Sequence, residues 1–164
     1  MSTLKVVEIG GWAVSNSPED ILRTYALGSC IALILHHPRT KTMGLVHIAL
    51  PDRLCDYGKH REKGYYASSA VPLLLNEVRA VAGLCSADNS GIVAKLAGGA
   101  AIIKIKDPFH LGERLRLEIQ KGLQLLRVPV VKQDTGGTVA RTVSLYIESG
   151  DVLIKSPGTQ EKPL

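Results

Sequence analysis

Two apolar stretches a short turn apart, Ile31-Ala32-Leu33-Ile34-Leu35 and Gly44-Leu45-Val46-His47-Ile48-Ala49-Leu50, constrain this chain more than any other feature. Each is of strand length and far short of the roughly 20 residues that span a bilayer. The segment between them contains Pro38-Arg39-Thr40-Lys41, a polar, turn-forming sequence. Together they predict a β-hairpin. If its loop centres on Arg39-Thr40, paired residue numbers sum to 79 and Cys30 faces Ala49. His47 is then the diagonal neighbour of Cys30 on the same face, roughly 7–8 Å away between Cα atoms. A slip of one residue would turn His47 to the other face.

The same alternation of short apolar runs and turn signals continues along the chain. Val6–Ile9 and Trp12–Val14 read as strands interrupted by Gly10-Gly11, and Ile21–Leu27 as a strand ending at Gly28. Pro51 to about Lys63 is a charged loop, and Tyr65–Val81 has helical spacing despite Pro72. Ile92–Leu96 reads as a buried strand leading into Gly98-Gly99, a backbone that needs room or positive φ, and Ala101–Ile105 as a further apolar piece. Leu111, Leu115, Ile119 and Leu123 mark a second helix over Gly112–Arg127. Val128–Val131, Ala140–Ile147 and Val152–Ile154 complete the strands, with turns at Asp134-Thr135-Gly136-Gly137 and Ser149-Gly150-Asp151. Residues 1–155 form one expected domain, and the Pro-, Gly- and charge-rich residues 156–164 an expected disordered tail. Neighbouring hairpins without regular strand-helix alternation indicate an α+β fold, its helices covering one side of a largely antiparallel sheet. Rossmann and P-loop glycine spacings do not occur.

Composition narrows the function. A net charge of +5 is spread along the chain and only seven aromatic residues are present, so no nucleic-acid partner is expected. Met1–Lys5 lacks a signal-peptide pattern and no apolar run spans a membrane, which predicts a cytoplasmic protein without direct membrane insertion. Cys30, Cys55 and Cys85 form an odd set without C-x-x-C spacing and read as free thiols. His36-His37 reads as turn surface, and no metal site is expected there.

Thr24-Tyr25-Ala26-Leu27-Gly28-Ser29-Cys30 places a thiol just past a glycine turn at the mouth of a strand. A thiol needs a nearby base to become a nucleophile, and His47 across the hairpin is placed to be that base. The Thr24 hydroxyl is suited to holding the imidazole tautomer. Each residue also has a plain structural reading: unpaired cysteine is commonly core filler, a histidine in an apolar run a satisfied core residue, and threonine an ordinary strand former. Asp134–Gly137 fits an anion-cradling backbone or simply a tight turn.

Leu27-Gly28-Ser29-Cys30 followed by Gly44-x-x-His47-x-x-Leu50-Pro51 resembles the CheD family of bacterial chemotaxis proteins, the chemoreceptor glutamine deamidases. The resemblance continues through Lys95–Ala100, Leu111–Arg114, and Asp134–Gly137 with Arg141. It implies a three-layer α/β sandwich of mostly antiparallel strands, similar to deamidating bacterial toxin catalytic domains. It further implies a triad of Cys30, His47 and Thr24, oxyanion or site-shaping roles for Gly28 and Ser29, and no cofactor. The implied reaction converts receptor glutamines to glutamate through a cysteine thioester. The implied partners are the cytoplasmic domains of methyl-accepting chemoreceptors and, in some bacteria, a CheC-like phosphatase. Leu115 departs from the family, where Asn often follows the Gly-x-Arg of the second helix. Two other readings compete: a regulatory binding module for a CheC-like phosphatase, and a cysteine peptidase.

Overall fold

The computed structural model describes residues 1–102 and 109–164. In order they form β1 (Thr3–Val6), β2 (Trp12–Ser15), β3 (Asp20–Leu27), β4 (Ile31–His37), β5 (Thr42–Ile48), α1 (Ala67–Ala82), β6 (Val93–Gly98), α2 (Leu111–Leu125), β7 (Val130–Thr135), β8 (Arg141–Tyr146), β9 (Asp151–Lys155) and β10 (Lys162–Pro163). Two five-stranded sheets result, one ordered β1-β3-β8-β9-β10 and the other β2-β5-β4-β6-β7. Six of the eight strand pairings among the described residues are antiparallel; β1-β3 and β6-β7 are parallel. With both helices on the second sheet, the layers run helix, sheet, sheet, so the α+β class and the three layers hold. The single sheet expected from the residues alone is replaced by two.

Side-chain parity along β4 explains this stacking. Ile31, Leu33 and Leu35 join Val46, Ile48, Ala94 and Leu96 in a core beneath α1 and α2. Ala32 and Ile34 join Met43, Leu45 and Ala97 in a second core against Leu22, Leu27, Val143, Leu145, Val152 and Ile154 of the other sheet. A strand with apolar partners on both faces must be apolar throughout. This accounts for the unbroken Ile31–Leu35 run. Burying each large aliphatic side chain contributes about 1.5–3 kcal/mol, so the hairpin is fixed from both sides.

Its register is Ile31↔Ile48 through His37↔Thr42, the pairing in which residue numbers sum to 79. A 3-10 turn over Pro38–Thr40 closes it, with Lys41 in the left-handed conformation at φ 52°. His37, expected at the turn surface, is buried, and its Nδ1 lies 2.8 Å from Thr40 Oγ1.

The helices fall where periodicity places them. α1 buries Ala67, Ala70, Val71, Leu74, Leu75 and Val78 at helical spacing and ends at Gly83, whose φ of 70° suits glycine. α2 buries Leu115, Ile119 and Leu123 as expected, with Gly112 rather than Leu111 beginning the buried stripe.

Several boundaries differ from the sequence expectation. β1 is Thr3–Val6 rather than Val6–Ile9, because Asp20–Arg23 offers a parallel partner to the earlier residues. β7 extends to Thr135, pairing Ala97 with Asp134, so only Gly136-Gly137 remains as the turn. Of the apolar piece expected at Ala101–Ile105, residues 103–105 lie outside the described residues. Residues 156–164 take a defined path: after a turn at Ser156–Thr159, β10 pairs with β9, and Leu164 packs on the inter-sheet core.

Replacing Leu74, fully buried between α1 and the second sheet, by alanine should lower unfolding free energy by about 2–5 kcal/mol in urea denaturation. Leu125, 76% exposed on α2, should give less than about 0.5 kcal/mol for the same change.

Candidate active site

The site forms where the two sheets face each other. His47 lies on β5 with the parity of Met43 and Leu45, so it points into the inter-sheet layer and is 2% exposed. Its backbone is clamped by two consecutive glycines: Gly10 N–H donates to the His47 carbonyl at 2.8 Å, and His47 N–H donates to the Gly11 carbonyl at 3.2 Å. Gly10-Gly11 thus sets the position of the histidine as well as interrupting the strands.

From the opposite sheet Thr24 on β3 meets the imidazole, its Oγ1 2.7 Å from His47 Nδ1. The hydroxyl has a single proton, and Thr24 Oγ1 also lies 2.7 Å from the Val7 carbonyl oxygen, which can only accept. The Thr24 proton therefore goes to Val7, and Nδ1 must donate to Oγ1. His47 is thereby the Nδ1–H tautomer, its Nε2 carrying a bare lone pair. Among the described residues, Nε2 is the one buried side-chain nitrogen or oxygen without a hydrogen-bond partner. Leaving such an atom unmatched costs about 1–3 kcal/mol, which calls for a functional reason.

Cys30 is delivered by an irregularity in β3. Thr24 pairs with Val143 and Leu27 with Arg141, so three steps on β3 oppose two on β8. Ala26 absorbs the extra residue at φ 54°, and the bulge turns the chain from Thr24 into Leu27-Gly28-Ser29-Cys30. Extending the observed hairpin register by one residue sets Cys30 opposite Ala49, with His47 on the diagonal. Cys30 is partly buried and packs against the inter-sheet core. Cys55 and Cys85 are exposed.

A glycine loop braces the thiol's backbone. Gly99 N–H donates to the Cys30 carbonyl and Ala100 N–H to the Gly28 carbonyl, each at 2.8 Å. Gly98, at φ 115°, comes so close that a Cβ would overlap the Cys30 carbonyl oxygen, and a Cβ on Gly112 would overlap the Gly99 carbonyl. The sequence flags Gly98-Gly99 as needing space but does not reveal that Cys30 needs it.

Burial governs the protonation states. It pushes the Cys30 thiol up to about 11 and the His47 imidazole down to about 4. The resting pair is thus thiol and neutral imidazole. Tyr65, unanticipated at the site, stacks on His60 with ring centroids 3.7 Å apart; its phenol is pushed up first by burial and then by the nearby Cys30. Its only sequence signal is its position where the charged loop meets α1.

Comparison with known proteins shows the family of the chain. The family described as CheD, chemotactic sensory transduction, matches residues 49–156, well over half of the chain. The chain belongs to the CheD family. It is 38% identical to a probable chemoreceptor glutamine deamidase CheD of Syntrophotalea carbinolica, over 93% of this chain and 94% of the relative. It is 34% identical to the chemoreceptor glutamine deamidase CheD of Thermotoga maritima, over 96% of this chain and 95% of that protein. A solved structure, the Bacillus licheniformis hypothetical protein YfiH, overlaps 77% of this chain and 49% of its own at TM-score 0.41 and 11% identity. Among the described residues no helix is long and apolar enough to cross a membrane.

The two buried groups predict a two-sided pH dependence of stability. Folding depresses the His47 pKa from 6.5 to about 4, so its contribution is complete above about pH 6.5 and is lost on acidification toward 4. The full loss is on the order of 3 kcal/mol. Folding raises the Cys30 pKa from 9.0 to about 11, so its contribution is complete below pH 9 and is lost as pH climbs through 11. Urea midpoints measured against pH should show a plateau between these limits. His47→Gln should flatten the acid limb and Cys30→Ala the alkaline limb.

Proposed function

We propose that this protein deamidates selected glutamine side chains in the cytoplasmic domains of methyl-accepting chemoreceptors, with Cys30 as nucleophile, His47 as general base and acid, and Thr24 as the group that orients His47. The observation that carries this reading is the buried, unpartnered Nε2 of a histidine whose other nitrogen donates to Thr24. A histidine kept for packing has no need of one locked tautomer with an idle lone pair in a largely apolar layer. The curated relatives' names supply the substrate class.

His47 Nε2 takes the Cys30 proton as sulfur attacks the glutamine carboxamide carbon, giving a tetrahedral oxyanion. With thiol near 11 and imidazole near 4, transfer before attack is uphill. Proton transfer to Nε2 is therefore coupled to carbon-sulfur bond formation. His47 returns the proton to the leaving nitrogen, the carbon-nitrogen bond breaks, and ammonia departs from a Cys30 thioester. Water then gives a proton to Nε2 and its oxygen to the thioester carbonyl, releasing glutamate and restoring the thiol. The Leu27–Cys30 turn has its Gly28 and Cys30 carbonyls committed to Ala100 and Gly99. It offers the amides of Ser29 and Cys30 to the oxyanion, with Gly28 shaping the turn. Thr24 stays neutral throughout, accepting from Nδ1 while its own proton rests on Val7. The sequence resemblance extends the reading to a CheC-like phosphatase as a second protein partner.

Mass spectrometry of a receptor cytoplasmic fragment should reveal amide-to-acid conversion at defined glutamines with release of ammonia. Cys30→Ala and His47→Ala should each reduce turnover by on the order of a thousandfold or more. Thr24→Val, which removes the acceptor for Nδ1, should cost about ten- to a hundredfold. Full turnover in Cys30→Ala would rule out the covalent route. Binding of a CheC-like phosphatase without deamidation by the wild type would favour an adaptor.

A further inference from the structure

The reaction just described uses neither Arg141 nor Asp134, yet both lie beside the turn that carries the nucleophile. Arg141 opens β8 opposite Leu27, the residue from which the Leu27–Cys30 turn departs. Its side chain is 6% exposed. One guanidinium nitrogen, Nη2, donates to Asp134 Oδ1 at 3.0 Å. Nη1 faces two carbonyl oxygens, Gly98 at 3.5 Å and Val139 at 3.4 Å, long contacts in which charge matters more than hydrogen-bond geometry. The Gly98 carbonyl also receives the Gly136 N–H at 2.9 Å.

A buried guanidinium is a costly way to close a turn, since an apolar side chain would fill the space without the desolvation penalty. What it adds is direction. Asp134 lies on β7 beside Ala97 of β6, so the carboxylate belongs to the helix-bearing sheet while the guanidinium belongs to the other. Burial alone would push the Asp134 carboxyl up, but Arg141 and, less closely, Lys162 hold it below its ordinary value and keep it ionised. Lys162 lies 3.4 Å away and is largely exposed, so solvent screens its contribution. Arg141 is the buried partner, and the pair joins the two sheets next to the nucleophile.

From this pair the contacts lead to the Cys30 backbone carbonyl without a gap. Arg141 and Gly136 hold the Gly98 carbonyl, Gly98 abuts the Cys30 carbonyl, and Gly99 donates to that same oxygen. On its other side the turn begins at Leu27, paired with Arg141 itself. We infer that Arg141, held by Asp134, is a positioning residue that fixes the Leu27–Cys30 turn against the Gly98-Gly99 loop and so sets the direction of the Cys30 thiol toward His47. This inference rests on the proposed role of Cys30 as nucleophile.

The test reads the thiol without any substrate. In a Cys55→Ser, Cys85→Ser background, iodoacetamide alkylation of Cys30 is followed against pH, alongside receptor deamidation and thermal melting. Asp134→Asn, changed at the half-exposed end of the pair, and Arg141→Met, which keeps the aliphatic stem, should both open the turn to water. The alkylation midpoint should then move from about 11 toward the ordinary 9 while turnover falls about tenfold or more. The thiol would become easier to alkylate and worse at catalysis; because unfolding would do the same, both are read at a temperature where melting shows each variant folded. Arg141→Lys, retaining the charge with fewer donors, should lie between wild type and Arg141→Met. An unmoved alkylation midpoint in Asp134→Asn would overturn the inference, whether or not melting changes. If the midpoint moves but wild-type protein does not deamidate receptor fragments, the positioning role stands and the deamidase reading fails.

Discussion

The hairpin formed by β4 and β5 is buried on both faces, and every other layer is placed relative to it. Helices cover Ile31, Leu33 and Leu35 on one side; the second sheet covers Ala32 and Ile34 on the other. A register slip of a single residue would exchange the two sets and put β5's histidine under the helices. Because each face has its own complement of large and small partners, packing in both cores opposes that exchange. The double burial is therefore what delivers His47 to the layer where Thr24 can reach it, before any polar interaction is formed.

Within that layer, polar groups are few, and among the described residues His47 Nε2 is the one buried side-chain nitrogen or oxygen left without a partner. The hydrogen bond between Thr24 and His47 crosses from one sheet to the other, and the Val7 carbonyl decides its polarity. A carboxylate in place of Thr24 would favour the imidazolium; a neutral hydroxyl does not. Burial keeps the imidazole neutral and weakly basic, which suits the proton-relay role proposed for it.

Legibility in the sequence followed the range of the interactions concerned. The hairpin could be read because both strands are continuously apolar and the turn between them is short, whereas its register stayed conditional in the sequence and is decided by packing on both faces. Both helices could be read from their periodicity. The bulge at Ala26 could not, since alanine gives no sign of adopting φ 54° and only the opposing strand β8 imposes it. Thr24 had a nameable role, but the donor-acceptor sense of its hydrogen bond depends on Val7, on a different strand. Gly98-Gly99 announced a need for space without naming the Cys30 carbonyl that fills it. Asp134-Thr135-Gly136-Gly137 read as a turn, whereas pairing with β6 draws its first two residues into β7. The terminal residues are disorder-prone in composition, and neither the β10 pairing nor the packing of Leu164 has a signal in that composition.

The neutral resting state of Cys30 has a consequence for the lifetime of the protein. Peroxides and disulfides react with thiolates far faster than with thiols. A sulfur held protonated by its surroundings and partly covered by the inter-sheet core presents little thiolate to such oxidants. The burial that lowers the His47 pKa thus also protects the sulfur proposed as nucleophile, so redox damage should accumulate at the exposed Cys55 and Cys85 before it reaches Cys30.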